Sequence, residues 1–194
     1  MTVGEIVESL RVLPGEAGWV VLSGGNPSLF LDDELVMALH QAGYKISMET
    51  QWIPKYTNAV IAIDHLVYSP KPPSSGMRSM YDREQWDIIA QVVVDRCIKR
   101  GKGSTSIKTV IFTRDDLGFA KMAEEEITVR VPMDDGWIPL VLSVGTPLQS
   151  DNIVTDIVAS TLKILDMVKA DPYFKNHRIV PQLHAMLWGR RRGV

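Results

Sequence analysis

Apolar positions along the chain follow two spacings, a helical one and a strand one, and the two alternate. Val3, Ile6, Val7, Leu10 and Leu13 recur at the helical interval, with Thr2 and Glu5 placed to form a capping box. The chain therefore opens on a helix, ended by Pro14-Gly15. Trp19 to Leu22 reads as a strand apolar on both faces, which predicts a central place in a sheet. A second helix, capped by Asp32 or Asp33, carries Leu35, Val36 and Leu39 and closes at Gly43. Strands follow at Tyr44 to Met48, running out into Glu49-Thr50-Gln51, and at His65 to Tyr68, running out into Ser69-Pro70-Lys71. The prolines of Ser69 to Met77 predict a rigid loop.

From Arg83 to Lys99, Trp86, Ile89, Ala90, Val93, Val94, Cys97 and Ile98 make one stripe, which predicts a long helix with Cys97 as a small core residue. Lys108 to Phe112 and Ile138 to Val144 read as strands. Asp115 or Asp116 begins a helix reaching Ile127. Asp151 caps another, bearing Ile153, Val154, Ile157, Val158, Leu162, Leu165 and Val168. Ile179-Val180 is a last short strand before a short helix. Strand and helix alternate with short connections throughout, so the expected class is α/β with a parallel sheet, in a single domain over residues 1–194. Polar residues and glycines gather where strands end: Ser23-Gly24-Gly25, Glu49-Thr50-Gln51, Ser69-Pro70-Lys71, Ser143-Val144-Gly145 and Gln182-Leu183-His184. In a β/α barrel that rim carries the active site.

Composition narrows the function. A net charge of −2 leaves no broad basic surface, and Arg190-Arg191-Arg192 is the only basic run, so nucleic acid is not an expected partner. No apolar stretch approaches the roughly 20 residues that span a bilayer, and Glu5 and Glu8 stand where a leader would be basic. No membrane partner and a cytoplasmic location are expected. One cysteine excludes internal disulfides and any all-cysteine metal site within these residues. His40, His65, His177 and His184 are too scattered for a zinc site; His40 and His177 read as surface or packing residues. No histidine has a serine or cysteine partner at a recognisable spacing, which leaves an unrelated hydrolase with little support. Gly101 to Ser106 lacks the preceding strand and following helix of a phosphate loop.

The same residues carry a resemblance. Ser23-Gly24-Gly25-Asn26-Pro27 is similar to the Gly-Gly-Glu-Pro segment of the radical SAM 7-carboxy-7-deazaguanine synthase family, and Ser69-Pro-Lys-Pro-Pro-Ser-Ser-Gly-Met77 resembles that family's long Ser-Pro-Lys motif. Lys108 to Phe112 and the closing Pro181-Gln-Leu-His184, Trp188-Gly189 and Arg192-Gly193-Val194 match its later landmarks. The resemblance implies a partial β/α barrel. It also implies S-adenosylmethionine (SAM), a 4Fe–4S cluster and magnesium as cofactors, a pterin substrate, an electron-donating reductase and a homodimer. The reaction it implies is contraction of 6-carboxy-5,6,7,8-tetrahydropterin to 7-carboxy-7-deazaguanine, a queuosine and deazapurine precursor.

Carried onto this chain, the resemblance gives the backbone of Gly24 and Gly25 to the SAM amino group, Ser69, Pro70 and Lys71 to SAM, and Glu49 to its sugar. Ser23, Gln182 and His184 go to the substrate. Asn26 replaces the family's usual glutamate, and Ser143 stands at a SAM contact where a glutamine is expected. The family's CxxxCxxC cluster loop has no counterpart, and its magnesium ligand is missing with it, so no metal ligand is assigned. The expectation is a chain entered after the first β/α unit, with one sheet edge unpaired. The alternative is a cluster-less homologue that binds SAM, a pterin or a protein partner without radical chemistry, its open edge covered by an oligomer.

Overall fold

Parallel strands cannot be joined by a tight turn, and the alternating spacings supply a helix between each strand and the next. The computed structural model describes residues 1–13, 16–77, 83–101, 104–131, 138–146 and 152–188, apart from the side chain of His184. The elements run α1 (Val3–Arg11), β1 (Trp19–Leu22), α2 (Asp33–Gln41), β2 (Lys45–Thr50), α3 (Asn58–Ala62), β3 (His65–Tyr68), α4 (Arg83–Arg100), β4 (Thr105–Ile111), α5 (Arg114–Thr128), β5 (Leu140–Val144), α6 (Ile153–Lys169), β6 (Arg178–Val180) and α7 (Leu183–Trp188). Short 3-10 turns lie at Pro27–Leu29, Pro73–Ser75 and Pro172–Asn176. The six strands form a parallel sheet ordered β1-β2-β3-β4-β5-β6, the α/β class that the alternation predicts. Among the described residues no helix is long and apolar enough to cross a membrane.

Local chemistry fixes the helix ends. The Thr2–Glu5 capping box forms at α1, with Glu5 N–H donating to Thr2 Oγ1 at 3.3 Å and Thr2 N–H to Glu5 Oε2 at 2.7 Å. Asp32 caps α2 through Leu35 N–H, and Gly43, at φ 89°, closes it. At α5 the start is Arg114, not Asp115 or Asp116. Asp116 N–H donates to Thr113 Oγ1, while the Asp116 carboxylate accepts from Phe112 and Thr113 N–H, each at 2.9 Å. That reciprocal box moves the start forward. Asn152 caps α6 through Thr155 N–H; Asp151, Pro14-Gly15 and Arg190-Arg191-Arg192 lie outside the described residues.

The chain divides into two compact units. In the first (Met1–Ser69, Met80–Ser106 and Glu126–Ile138), Ile46, Met48, Thr50, Leu66 and Tyr68 form a fully buried sheet face. The opposite face carries Trp19, Val21, Lys45, Ser47, Glu49, His65 and Val67 and is partly open. The apolarity of β1 therefore misleads: it is the first strand in the order, with Trp19 49% and Val21 64% exposed, and not a central one. On α4 the buried side is Gln85, Trp86, Ile89, Ala90, Val92, Val93 and Arg96. Cys97 is half-buried and Ile98 exposed, so the packed side is rotated from the predicted stripe.

The reason is Arg96, which is 0% exposed. Its guanidinium donates to the carbonyls of Val60 (3.0 Å), Ile61 (3.3 Å), Ile63 (2.5 Å), Asp64 (3.4 Å) and Ser104 (2.6 Å), and to Thr105 Oγ1 (2.9 Å). It thereby caps α3, a helix too short to satisfy its own last carbonyls and one that the spacings did not predict.

In the second unit (Pro70–Ser79, Ile107–Glu125 and Pro139–Val194), Ile107, Thr109, Ile111, Leu140, Leu142 and Val144 form the buried sheet face. Buried Glu124 accepts from Tyr173 Oη at 2.6 Å and pairs with His177 Nε2 at 2.9 Å, with Tyr173 stacked on the His177 ring. Of the two readings for His177, packing holds and surface does not. Burial, and then the Glu124 hydrogen bond, push the Tyr173 phenol well above its ordinary pKa. On α6 only Ile157, Ile164 and Val168 are buried; Val154, Val158 and Leu162, which share its apolar pattern, are exposed.

Candidate functional site

In the first unit β1 ends at Leu22 and the chain turns through Gly24 and Gly25 at φ 88° and 56°, the left-handed region that a side chain strains to reach. Apart from each glycine's own chain neighbours, no heavy atom of the described residues lies within 4 Å of where a Cβ would stand on either. Their backbone groups are thus free of steric cover and can meet a ligand directly. Ser23 is exposed beside them.

The turn is held by the next residue. Asn26 is buried; its Oδ1 accepts from Thr50 Oγ1, Gln51 N–H (3.2 Å) and Trp52 N–H (3.4 Å), and its Nδ2 donates to the Trp52 carbonyl at 2.9 Å. Ser28 Oγ also donates to that carbonyl, and Thr50 Oγ1 reaches Ser28 Oγ at 3.0 Å. The end of β1 is thereby tied to the end of β2. Asn26 is an expected cofactor contact, and the structure places its oxygen against the protein, where two backbone N–H groups that can only donate converge on it.

Glu49 lies half-buried on the open sheet face at the end of β2. At the end of β3, Ser69 N–H donates to the Thr50 carbonyl at 2.7 Å, and Ser69 Oγ is buried with no hydrogen-bond partner among the described residues. A buried hydroxyl without a partner costs free energy, which marks it as a group awaiting an acceptor or donor. Below, on the open face, Ser47 Oγ and His65 Nδ1 approach at 3.4 Å. Burial, and then the charge of Arg96, lower the His65 pKa, so its ring stays neutral at neutral pH. The pair is 18 residues apart in sequence and is brought together by the register Ser47↔His65, so no linear spacing could reveal it.

In the second unit, Pro70 is buried and Lys71 half-buried beyond β3, where the Pro73–Ser75 turn and Gly76 at φ 68° give the Ser-Pro-Lys loop a defined shape. Ser143 is buried near the end of β5. Past it, a Cβ on Gly145 would lie 2.4 Å from the Phe112 ring, so any larger residue requires that ring to shift. Thr146 Oγ1 then donates to Gln182 Oε1, joining the ends of β5 and β6, a contact the sequence did not suggest. His184 begins α7, and its side chain lies outside the described residues. Among the described residues no three His, Cys, Asp or Glu side chains are grouped to hold a metal ion.

No protein-family model matches the chain. Among curated proteins it is 32% identical over 200 residues to a 7-carboxy-7-deazaguanine synthase of Bacillus subtilis, and 31% over 203 residues to one of Bacillus cereus. Each match takes in 100% of this chain and 76% of the relative. Of solved structures, QueE from Escherichia coli superposes with a TM-score of 0.59 at 18% identity, over 94% of this chain and 64% of that one. SuiB from Streptococcus suis gives 0.53 at 12% identity, over 96% of this chain and 45% of that one. At those identities the two structures show a shared fold, and the chain spans less than two thirds of either.

Proposed function

The chain belongs to the 7-carboxy-7-deazaguanine synthase family, and we propose that it supplies the SAM- and pterin-holding part of that family's reaction. The observation that carries this is the end of β1: two adjacent positive-φ glycines with open space above them, fixed in place by a buried amide. Such a turn offers unhindered backbone carbonyls to an ammonium group, and the Ser69 hydroxyl offers an unsatisfied polar atom. These residues fit SAM. In the first unit, Gly24 and Gly25 would hold its amino group, Ser69 a polar end and Glu49 its sugar hydroxyls; of the second unit's residues, the resemblance gives SAM Lys71, a compact cation suited to a carboxylate. The resemblance gives Ser23 of the first unit, and Gln182 of the second, to the pterin. Bound SAM is the radical source in this family, and the chain's own contribution is to position the two small molecules and keep water away from them.

The residues do not fit a 4Fe–4S cluster. Thiolates must ligate its irons, and these 194 residues contain one cysteine, half-buried on α4. Nor do the described residues group ligands for magnesium. That observation favours a second reading, a homologue that binds SAM or a pterin without radical chemistry.

Calorimetric titration of the purified chain with SAM tests the shared premise. Binding is expected, and Lys71→Ala should weaken it about tenfold, or about 1.4 kcal/mol. A folded chain that takes up no SAM would overturn both readings. Anaerobic reconstitution with iron and sulfide tests the thiolate argument: no cluster absorbance is expected from this chain, and its appearance would refute that argument.

A further inference from the structure

In this family's Gly-Gly-Glu-Pro segment the acid follows the two glycines directly, and here the residue is Asn26. The substitution invites the reading that an amide touches the ligand in place of a carboxylate. The geometry points instead to Asn26 as a positioning residue: it locks the Gly24-Gly25 turn onto the end of β2 and leaves the turn without a carboxylate or carboxamide oxygen for the ligand's ammonium group. This rests on the SAM-holding reading given above.

The orientation of the amide is set by its partners. Gln51 N–H and Trp52 N–H both point at one atom, and a backbone N–H can only donate, so that atom is the oxygen. The other atom faces the Trp52 carbonyl, which can only accept, so it is the nitrogen. Asn26 thus meets both the N–H and the C=O of Trp52, as a neighbouring peptide group would in a sheet. With Thr50 Oγ1 also donating to it, Oδ1 has three donors for two lone pairs. The polar group left over on the side chain is an N–H, which repels an ammonium. The residues of the turn, Ser23 to Pro27, include no other carboxylate or carboxamide, so apart from the Ser23 hydroxyl the turn offers the ammonium only backbone carbonyls.

The two roles respond to Asn26→Asp with opposite sign. A ligand-contacting Asn26 would gain charge complementarity as Asp, and SAM would bind more tightly. A positioning Asn26 would lose its donor and set a carboxylate oxygen against the Trp52 carbonyl, loosening the turn. We expect Asn26→Asp to weaken SAM binding about tenfold at neutral pH. In the ligand-free protein its melting temperature should fall below the parent's at neutral pH, with the gap narrowing as pH drops. Protonation restores an O–H donor toward Trp52, so the folded state holds that proton more tightly than the unfolded one. Glu49 is the only ionisable side chain on the two segments that meet here, residues 22–30 and 49–53, and it is present in both proteins.

Thr50→Val, which removes one donor from Oδ1 without adding charge, should weaken SAM binding in the same direction by a smaller factor. It covers the case in which Asn26→Asp does not fold. Tighter SAM binding by Asn26→Asp, or a melting gap that is absent or constant across pH, overturns the assignment. If the parent binds no SAM, the functional reading falls while the pH series of melts still decides the role of Asn26.

Discussion

Replacing Arg96 with methionine keeps the length of the buried stem and removes every donor. The guanidinium now satisfies five carbonyls and one hydroxyl, and the contacts to Val60, Ile61 and Ile63 are buried. A buried acceptor left unsatisfied costs about 1–3 kcal/mol, so these three alone set a loss of at least about 3 kcal/mol. Against that stands the relief of no longer dehydrating a cation. Where charges pair with charges, such relief can balance the account, but here the partners are backbone carbonyls that remain whatever the side chain.

A net loss of about 3–5 kcal/mol is expected, a large share of the 5–15 kcal/mol typical of a folded domain. Burial pushes the Arg96 pKa down to about 10, so the group stays charged at neutral pH and its contribution should be flat between about pH 6 and 9. Urea unfolding followed by far-UV circular dichroism measures this as a fall in midpoint at constant slope. Arg96→Lys, with three donors on a point charge, should fall between the two. An Arg96→Met protein within about 1 kcal/mol of the parent would refute the view that these carbonyls depend on the guanidinium.

Asp64 accepts from Ile46 N–H (2.8 Å) and Arg100 (2.7 Å) and pairs with His40 (2.9 Å). Burial opposes its charge, yet those partners prevail and hold the carboxyl below its ordinary pKa. Its contribution to stability is therefore present above the unfolded pKa, about 3.9, and lost as pH falls through the lower folded value; Asp64→Asn should remove that component from urea midpoints measured against pH. Gly145→Ala should destabilise by about 1–3 kcal/mol through overpacking on Phe112, and the Phe112→Ala background should relieve much of it, a non-additivity that thermal melts of the double-mutant cycle would show.

Much of the fold was legible because strands and helices write different periods into a sequence, and because polar residues cluster where parallel strands end. What stayed hidden depends on which strands are neighbours. Asn26 reads as a ligand contact until β2 is known to lie beside β1, and Ser47 and His65 are unrelated until the register pairs them. Apolarity marked β1 as a strand but could not place it at an edge, since Trp19 and Val21 would suit either position. Arg96 runs against the usual expectation that a cation on a helix faces water, so the stripe, right at Trp86, Ile89, Ala90 and Val93, leaves out Arg96 and takes in Cys97 and Ile98. Thr146 and Gln182 needed the ends of β5 and β6 to be adjacent.

The first unit is assembled from three separated stretches of chain, and this bears on how the protein is made. Its carbonyls at Val60 to Asp64 leave the ribosome well before Arg96, and its last stretch is complete only at Ile138. At roughly 5–20 residues per second, the interval from Ser69 to Ile138 lasts roughly 3–14 s, during which β1, β2 and β3 exist with their buried face incomplete. A nascent chain paused in that window should be a chaperone substrate, and no cut between the two units can yield either one as a continuous fragment.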